Sequence, residues 1–265
     1  MTVQRIAVLG DVHGCIEELK QLYSVLSYLS LDGIWSVGDI VDRGSDSGAV
    51  VEFCRTHQIK LVCGNHESTM RSIHKTTSRK ARNQTITRSM AQIDATENPG
   101  ANWAYLISAP YLWAIDDLGV LLVHGGVWPR IPISKQASTH AVAIAQAINP
   151  NKLGDTVWYE KAERANRLAG YQKYVPWQDL YDGPENVVYG HTVYDRPRLV
   201  QNAGTGWTLG IDTGVPFGGS LTAVVLPERT IVQVQARTLY CADEGTRPLP
   251  PPFHNQKVLT EDDAD

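Results

Sequence analysis

The stretch Ile6-Ala7-Val8-Leu9-Gly10-Asp11-Val12-His13-Gly14 decides the fold. Four apolar residues in a row, stopped by glycine, predict a short strand buried on both faces. Asp11 and His13 leave its carboxyl end. On extended backbone, residues two apart point the same way. An oxygen donor and a nitrogen donor therefore face one point, and the flanking glycines let the chain turn tightly.

The pattern recurs along the chain. Val37 leads into Gly38-Asp39-Ile40-Val41-Asp42-Arg43-Gly44, and Leu61-Val62-Cys63 leads into Gly64-Asn65-His66-Glu67. Val120-Leu121-Leu122-Val123 leads into His124-Gly125-Gly126, and Val187-Val188-Tyr189 into Gly190-His191-Thr192. Each apolar run ends in glycine plus a metal-capable or acid–base side chain. Open α/β sheets place their sites outside the carboxyl ends of strands.

Helical patterns separate these runs. Cys15 to Leu31 carries Ile16, Leu19, Leu22, Val25, Leu26 and Leu29 at helical spacing. Ser45 to His57 predicts a second helix, with Ser45 as its cap and Val50, Val51, Phe53 and Cys54 as its inner face. The alternation argues for a layered α/β fold. Pro99-Gly100 breaks the chain, and Trp103 to Ile107 predicts a short helix with Trp103 and Leu106 inward. Leu112–Ile115 and Val120–Val123 form a hairpin by pattern. Further strands are predicted at Val187–Tyr189, Leu199–Asn202, Thr208–Ile211, Leu221–Leu226 and Ile231–Ala236.

Two stretches carry a different composition. From Ser68 to Ile93 there is no Asp or Glu, while Arg71, Lys75, Arg79, Lys80, Arg82 and Arg88 are basic. This fits either a solvated helical face or an insertion that overhangs the site and attracts a phosphorylated substrate. Residues 134–182 read as helical and polar, with the alanine-rich Thr139–Ile148 strongly helix-forming. The expected organisation is one domain over 1–240, with helical insertions at 68–98 and 130–182. A proline-rich, then acidic, extended tail follows at 241–265.

At 265 residues, with 43% hydrophobic and 20% charged content, the chain can bury one large core. A net charge of -4 argues against extended nucleic-acid binding. No apolar run approaches the roughly 18 residues of a membrane span, and no secretory signal is seen. Cysteines at 15, 54, 63 and 241 lack short paired spacing, which fits reduced thiols in a cytoplasmic protein.

In this order, the five motifs resemble the calcineurin-like metallophosphoesterases. Within them, the chain is similar to the phosphoprotein phosphatases and their bacterial relatives, the symmetrical diadenosine tetraphosphatases. The resemblance covers roughly Ile6 to Ala236. It implies a two-sheet β-sandwich flanked by helices, in α/β/β/α layers, and a pair of divalent metals, with manganese or iron favoured and zinc admitted. It assigns Asp11, His13 and Asp39 to one metal, and Asp39, Asn65, His124 and His191 to the other, with Asp39 as bridge. It makes His66 the general acid, Asp42 its partner and Arg43 a grip on phosphate oxygens.

Asn65, Arg164 and Arg167 are further substrate-binding candidates, and Trp128 could stack on a base. Asp212 is expected to support the site through hydrogen bonds. The resemblance implies phosphoester cleavage by a metal-bound hydroxide. The first reading of substrate is a serine/threonine-type phosphoprotein, with broad phosphomonoesterase activity. The alternative is a dinucleoside polyphosphate split symmetrically, and a second alternative is a non-catalytic binding scaffold. Cys63 stands where eukaryotic members carry arginine, and Ile211–Gly219 replaces their Ser-Ala-Pro-Asn-Tyr segment. Both departures point to the bacterial branch, where regulatory subunits are not expected.

Overall fold

The computed structural model describes residues 4–75, 84–129, 131–136, 147–157, 166–169, 173–202 and 204–241. The strands are β1 (Ile6–Leu9), β2 (Gly33–Ser36), β3 (Lys60–Leu61), β4 (Leu112–Ile115), β5 (Val120–Val123), β6 (Ala147–Asn149) and β7 (Lys152–Val157). They continue as β8 (Val175–Pro176), β9 (Asn186–Tyr189), β10 (Arg198–Gln201), β11 (Trp207–Gly210), β12 (Ser220–Leu226) and β13 (Thr230–Gln235). The helices are α1 (Ile16–Leu26), α2 (Ser47–Thr56), α3 (Asn65–His74), α4 (Gln84–Asp94), α5 (Pro99–Ser108) and the short α6 (Ile133–Gln136).

Two five-stranded sheets make the body. Sheet 1 has the order β13-β12-β1-β2-β3, and sheet 2 the order β10-β11-β9-β5-β4. In sheet 1, β1, β2 and β3 are parallel. In sheet 2, β5, β9 and β11 are parallel. Alternation along β1 sends Ile6 and Val8 to one face and Ala7 and Leu9 to the other. Ile6, Val8, Trp35 and Val37 join Val120, Leu122, Val188 and Leu209 in the core between the sheets. Ala7 and Leu9 join the helices in the core over the outer face of sheet 1. A smaller core of Val127, Ile148, Trp177, Tyr181 and Tyr189 covers the outer face of sheet 2. This is the sandwich that the motifs imply.

Helix α1 buries Ile16, Leu19, Leu22 and Leu26, each worth about 1.5–3 kcal/mol relative to exposure. Val25, part of the same apolar spacing, is 44% exposed because it lies off the face of α1 that Leu22 and Leu26 bury. The cap of α2 is Asp46, whose carboxylate accepts from Ala49 N at 3.0 Å. Ser45, the expected cap, instead donates to Gly14 O at 3.3 Å. Pro99 does not break the chain but opens α5, where a missing N–H costs nothing.

One correction and one new assignment concern the unusual stretches. The described part of 130–182 is not a run of helices: β6, β7 and β8 form an antiparallel sheet of their own. Ala147 and Ile148, at the end of the alanine-rich run, are strand, because pairing with β7 and β8 overrides local propensity; the rest of Thr139–Ile148 lies outside the described residues. In the basic stretch, Arg71 donates to the carbonyls of Leu106 and Ala109, tying α3 to the end of α5. Arg88 donates to the carbonyls of Arg43 and Gly44. Arg71 is spent on main chain, while Arg88 is bonded to the loop that carries Arg43; Arg79, Lys80 and Arg82 lie outside the described residues. No helix among the described residues is long and apolar enough to cross a membrane.

Candidate active site

The parallel strands of both sheets end at one side of the sandwich, and each end delivers a polar side chain. β1 delivers Asp11 and His13, β2 delivers Asp39 and Asp42, and β3 delivers Asn65 and His66. From sheet 2, β5 delivers His124, β9 delivers His191, and β11 delivers Asp212.

Main-chain hydrogen bonds join the loops. Val12 and His13 N–H both donate to Asp39 O, at 3.1 and 2.9 Å, and Gly44 N–H donates to His13 O at 2.7 Å. The backbone here is unusual. His13, Asp39, Asp42, Arg43 and His191 all have φ between 47° and 74°. Such conformations cost energy in a non-glycine residue and persist where the surroundings hold them.

Glu67 is one such holder. Its buried carboxylate accepts from Asp39 N at 2.8 Å, Ile40 N at 2.9 Å and Gly64 N at 2.9 Å. It thereby fixes the turn of Asp39 to the first turn of α3. Sequence reasoning quoted Glu67 in its motif but gave it no task. The signal was its place three residues after Gly64, where a carboxylate reaches back to the N-cap N–H of the helix. Two of the site's glycines are required by close approach to a carboxylate. A methyl group on Gly64 would strike the Asp39 carboxylate, and one on Gly190 the Asp11 carboxylate.

The side chains converge. His124 Nε2 lies 3.1 Å from Asp39 Oδ2, 2.9 Å from Asn65 Oδ1 and 3.1 Å from His191 Nδ1. His13 Nε2 lies 3.8 Å from Asp39 Oδ2 and 3.9 Å from Asp11 Oδ2. The Asp11 carboxylate accepts the N–H of His191, joining the two sheets. Two trios have their donor atoms within 4.8 Å of one another: His13, Asp39 and His66, and Asp39, His124 and His191. Asp39 is common to both.

The donor set fits divalent cations. His13 donates Nδ1–H to Val41 O at 2.9 Å, and His124 donates Nδ1–H to Val37 O at 3.0 Å. A carbonyl only accepts, so in the neutral ring each Nε2 carries the lone pair and faces the cluster; in the metal-free chain burial would lower His124 but Asp39 outweighs it and raises it, so a cation would displace that proton. Mixed imidazole, carboxylate and carboxamide donors suit first-row transition metals. Asp11, Asp39 and Asp212 are all buried, and gathering such charges without a cation is costly.

Charge directions in the metal-free chain follow. Burial, then Asp212 and Asp39, push Asp11 well up. Burial would raise Asp39 too, but His124, His66 and His13 outweigh it and hold it well below the ordinary range. Burial and the charge of Arg43 push His13 down, and burial and His124 push His191 down. Burial would lower His66; Asp39 and the hydrogen bond to Asp42 outweigh it, so its pKa is raised.

His66 is organised for proton work. Its Nδ1 meets Asp42 Oδ2 at 2.9 Å, and its Nε2 turns to the cluster, 3.8 Å from Asp39 Oδ2. Arg43 reaches in beside it, Nη1 lying 2.7 Å from His13 Nε2. Asp212 is buried and accepts from Gly214 N at 3.0 Å. Trp128 is half-buried against the core outside sheet 2, its main chain bonded to the Gln136 amide at 2.6 and 2.8 Å. Arg167 is exposed on the helical turn at 166–169, and Arg164 lies outside the described residues.

The sequence profile of the calcineurin-like phosphoesterases matches residues 4–195. The chain belongs to this family. It is therefore a hydrolase, as the motifs imply. A bis(5'-nucleosyl)-tetraphosphatase PrpE described as asymmetrical, from Oceanobacillus iheyensis, is 26% identical over 91% of this chain and 96% of its own length. A symmetrical bis(5'-nucleosyl)-tetraphosphatase from Pectobacterium carotovorum is 33% identical, over 52% of this chain and 49% of its own. Among solved structures, a candidate diadenosine tetraphosphatase superposes with a TM-score of 0.64 at 24% identity, covering 89% of this chain and 95% of that one. A cold-active protein-tyrosine phosphatase from Shewanella reaches 0.53 at 17% identity, covering 89% and 81%. At these identities the structures establish the shared fold. The named relatives favour the dinucleotide alternative over the phosphoprotein reading.

Proposed function

We propose that the chain hydrolyses dinucleoside tetraphosphates, using two divalent cations held at the end of the sandwich where both sheets deliver ligands. The observation that carries this reading is the full-length match to relatives named asymmetrical bis(5'-nucleosyl)-tetraphosphatases. The relatives named symmetrical align over only about half of either chain. Asymmetrical cleavage is accordingly the reading adopted.

Asp11, His13 and Asp39 would hold one cation, and Asp39, Asn65, His124 and His191 the other. When bound, such a pair neutralises phosphate charge and activates water for in-line attack. The chain's own groups do the rest. Arg43 donates to phosphoryl oxygens and keeps the chain of phosphates in register. Asp42 accepts from His66 Nδ1, so His66 Nε2 is the nitrogen that hands a proton to the departing oxygen. A departing nucleotide phosphate is a far better leaving group than an alkoxide. His66 is thus less critical for an anhydride than for a phosphoserine ester.

The test is product analysis with manganese, using diadenosine tetraphosphate beside a phosphothreonine peptide. AMP and ATP in equal amounts support the asymmetrical reading. Two ADP per substrate would shift it to the symmetrical one. Fast phosphate release from the peptide with an idle dinucleotide would replace it with the phosphoprotein reading.

A further inference from the structure

In the metal-free chain the Arg43 side chain makes two described contacts. One is with the His13 ring, Nη1 to Nε2 at 2.7 Å. The other is with Phe217, whose ring centroid lies 5.1 Å from the guanidinium carbon. The contact with His13 uses the nitrogen that a cation would take, which leaves the aromatic one in the loaded enzyme. Phe217 is half-buried. Among the described residues, it is part of none of the three apolar cores. Its neighbours in the turn, Val215 and Pro216, are buried. The turn therefore directs its one free aromatic ring to Arg43.

The turn that carries Phe217 is built into the site. It is a 3-10 turn over Val215–Phe217, between Gly214 at φ 71° and Gly218 at φ 83°. Phe217 N and Gly219 N both donate to Gly214 O, at 2.9 and 3.0 Å. Gly214 N in turn donates to Asp212 Oδ1, the buried carboxylate at the end of β11. On the outer side, Tyr240 N and Cys241 N both donate to Pro216 O at 3.0 Å. The ring is thus anchored to the sandwich from two directions, while Arg43 is a long side chain leaving a strained, left-handed residue.

We infer that Phe217 is a positioning residue: its ring face holds the Arg43 guanidinium in place for the phosphate. An aromatic ring attracts a guanidinium through its quadrupole and removes rotamer freedom that binding would otherwise have to remove. The inference rests on the proposed role of Arg43, and it assigns the replacement for the eukaryotic Ser-Ala-Pro-Asn-Tyr segment a task of its own.

The experiment is a double-mutant cycle on the full chain loaded with manganese, with Phe217→Leu, Phe217→Tyr, Arg43→Ala and Phe217→Leu/Arg43→Ala. The readouts are kcat and KM on diadenosine tetraphosphate and on p-nitrophenyl phosphate. Inorganic phosphate affinity is measured by calorimetry, and Tm by scanning calorimetry. Phe217→Leu is expected to lower kcat/KM on both substrates, and phosphate affinity, by about tenfold, the upper part of the cation–π range. In the Arg43→Ala background the same change should cost less than about twofold. Phe217→Tyr, which keeps the ring, should recover most of the loss.

An equal loss in both backgrounds would overturn the inference, because Phe217 would then act without Arg43. A loss confined to the dinucleotide would also overturn it, in favour of direct contact with a base. If Phe217→Leu is too unstable to assay, failure of Phe217→Tyr to hold wild-type phosphate affinity overturns it. A wild-type chain that ignores the dinucleotide but hydrolyses p-nitrophenyl phosphate would sink the proposed substrate and leave the cycle readable.

Discussion

Sheet 1 brings Asp11, His13, Asp39, Asp42, Arg43 and His66 to the cluster on loops that share backbone hydrogen bonds, with His13, Asp39, Asp42 and Arg43 in left-handed conformations. Sheet 2 brings His124 straight off β5 and His191 straight off β9, each beside a packed strand, with His191 alone left-handed. The first half holds groups that would face substrate as well as metal. The second supplies imidazoles placed by the packing behind them. Damage on sheet 1 should therefore disturb chemistry and substrate together, and damage on sheet 2 should be read mainly in metal affinity.

The largest expected effect is at the residue common to both trios. Asp39→Asn removes the shared charge and should cost at least about 10³-fold in turnover, the scale of 4 kcal/mol of transition-state stabilisation. Added manganese should not restore it. Turnover within tenfold of wild type would break the two-metal reading outright.

His66→Asn comes next and sharpens the contrast, because it should leave metal content unchanged. The loss should reach about 10²–10⁴-fold on an alkyl phosphate and be clearly smaller on the dinucleotide or an aryl phosphate. Equal losses on all three would remove His66 from the proton path. On sheet 2, His191→Gln should weaken metal binding by at least about 10- to 100-fold, with turnover recovering at high manganese. Titration of activity against metal checks this. A loss that excess metal leaves untouched would erase the distinction between the sheets.

The smallest effect is on stability and pH in the metal-free protein. Burial would raise Asp42, but the hydrogen bond from His66 dominates and holds it down to about 2. Its contribution is present above the ordinary carboxylate value near 3.8 and is lost as pH falls through about 2. His66 is raised from 6.5, so its contribution is complete below that value and is lost as pH rises through the folded pKa. Wild type should exceed His66→Asn in Tm most between about pH 4 and 6.5, by about 2–4 °C if the pair is worth 1 kcal/mol. A flat difference across pH would mean that the pair is not coupled to folding.

The strands that frame the site were legible because each is an unbroken apolar run stopped by glycine, and β1, β5 and β9 fall within a residue of their expected bounds. The convergence of the two sheets was not visible in any single motif. It came from the order of motifs and their resemblance to a family. Ala147 and Ile148 misled because alanine-rich sequence records local helix propensity, whereas β6 exists through partners up to 29 residues away. The roles of Arg71 and Arg88 stayed open in the sequence for a related reason. Charge can be counted in sequence, but the carbonyls that absorb it are made only by the packed ends of α5 and the loop at Arg43. The tail beyond 241 lies outside the described residues.

The contact between Asp39 and His124 joins the end of β2 to the end of β5, one from each sheet. Any ion that bridges them also rivets the sandwich at its open end. Its binding free energy then appears as cohesion between two layers that otherwise adhere through greasy, non-directional contacts. For a chain whose two halves meet across residues 39 and 124, occupancy of the site and mechanical integrity of the fold become one quantity. A chelator should soften the molecule where it works before it melts anywhere else.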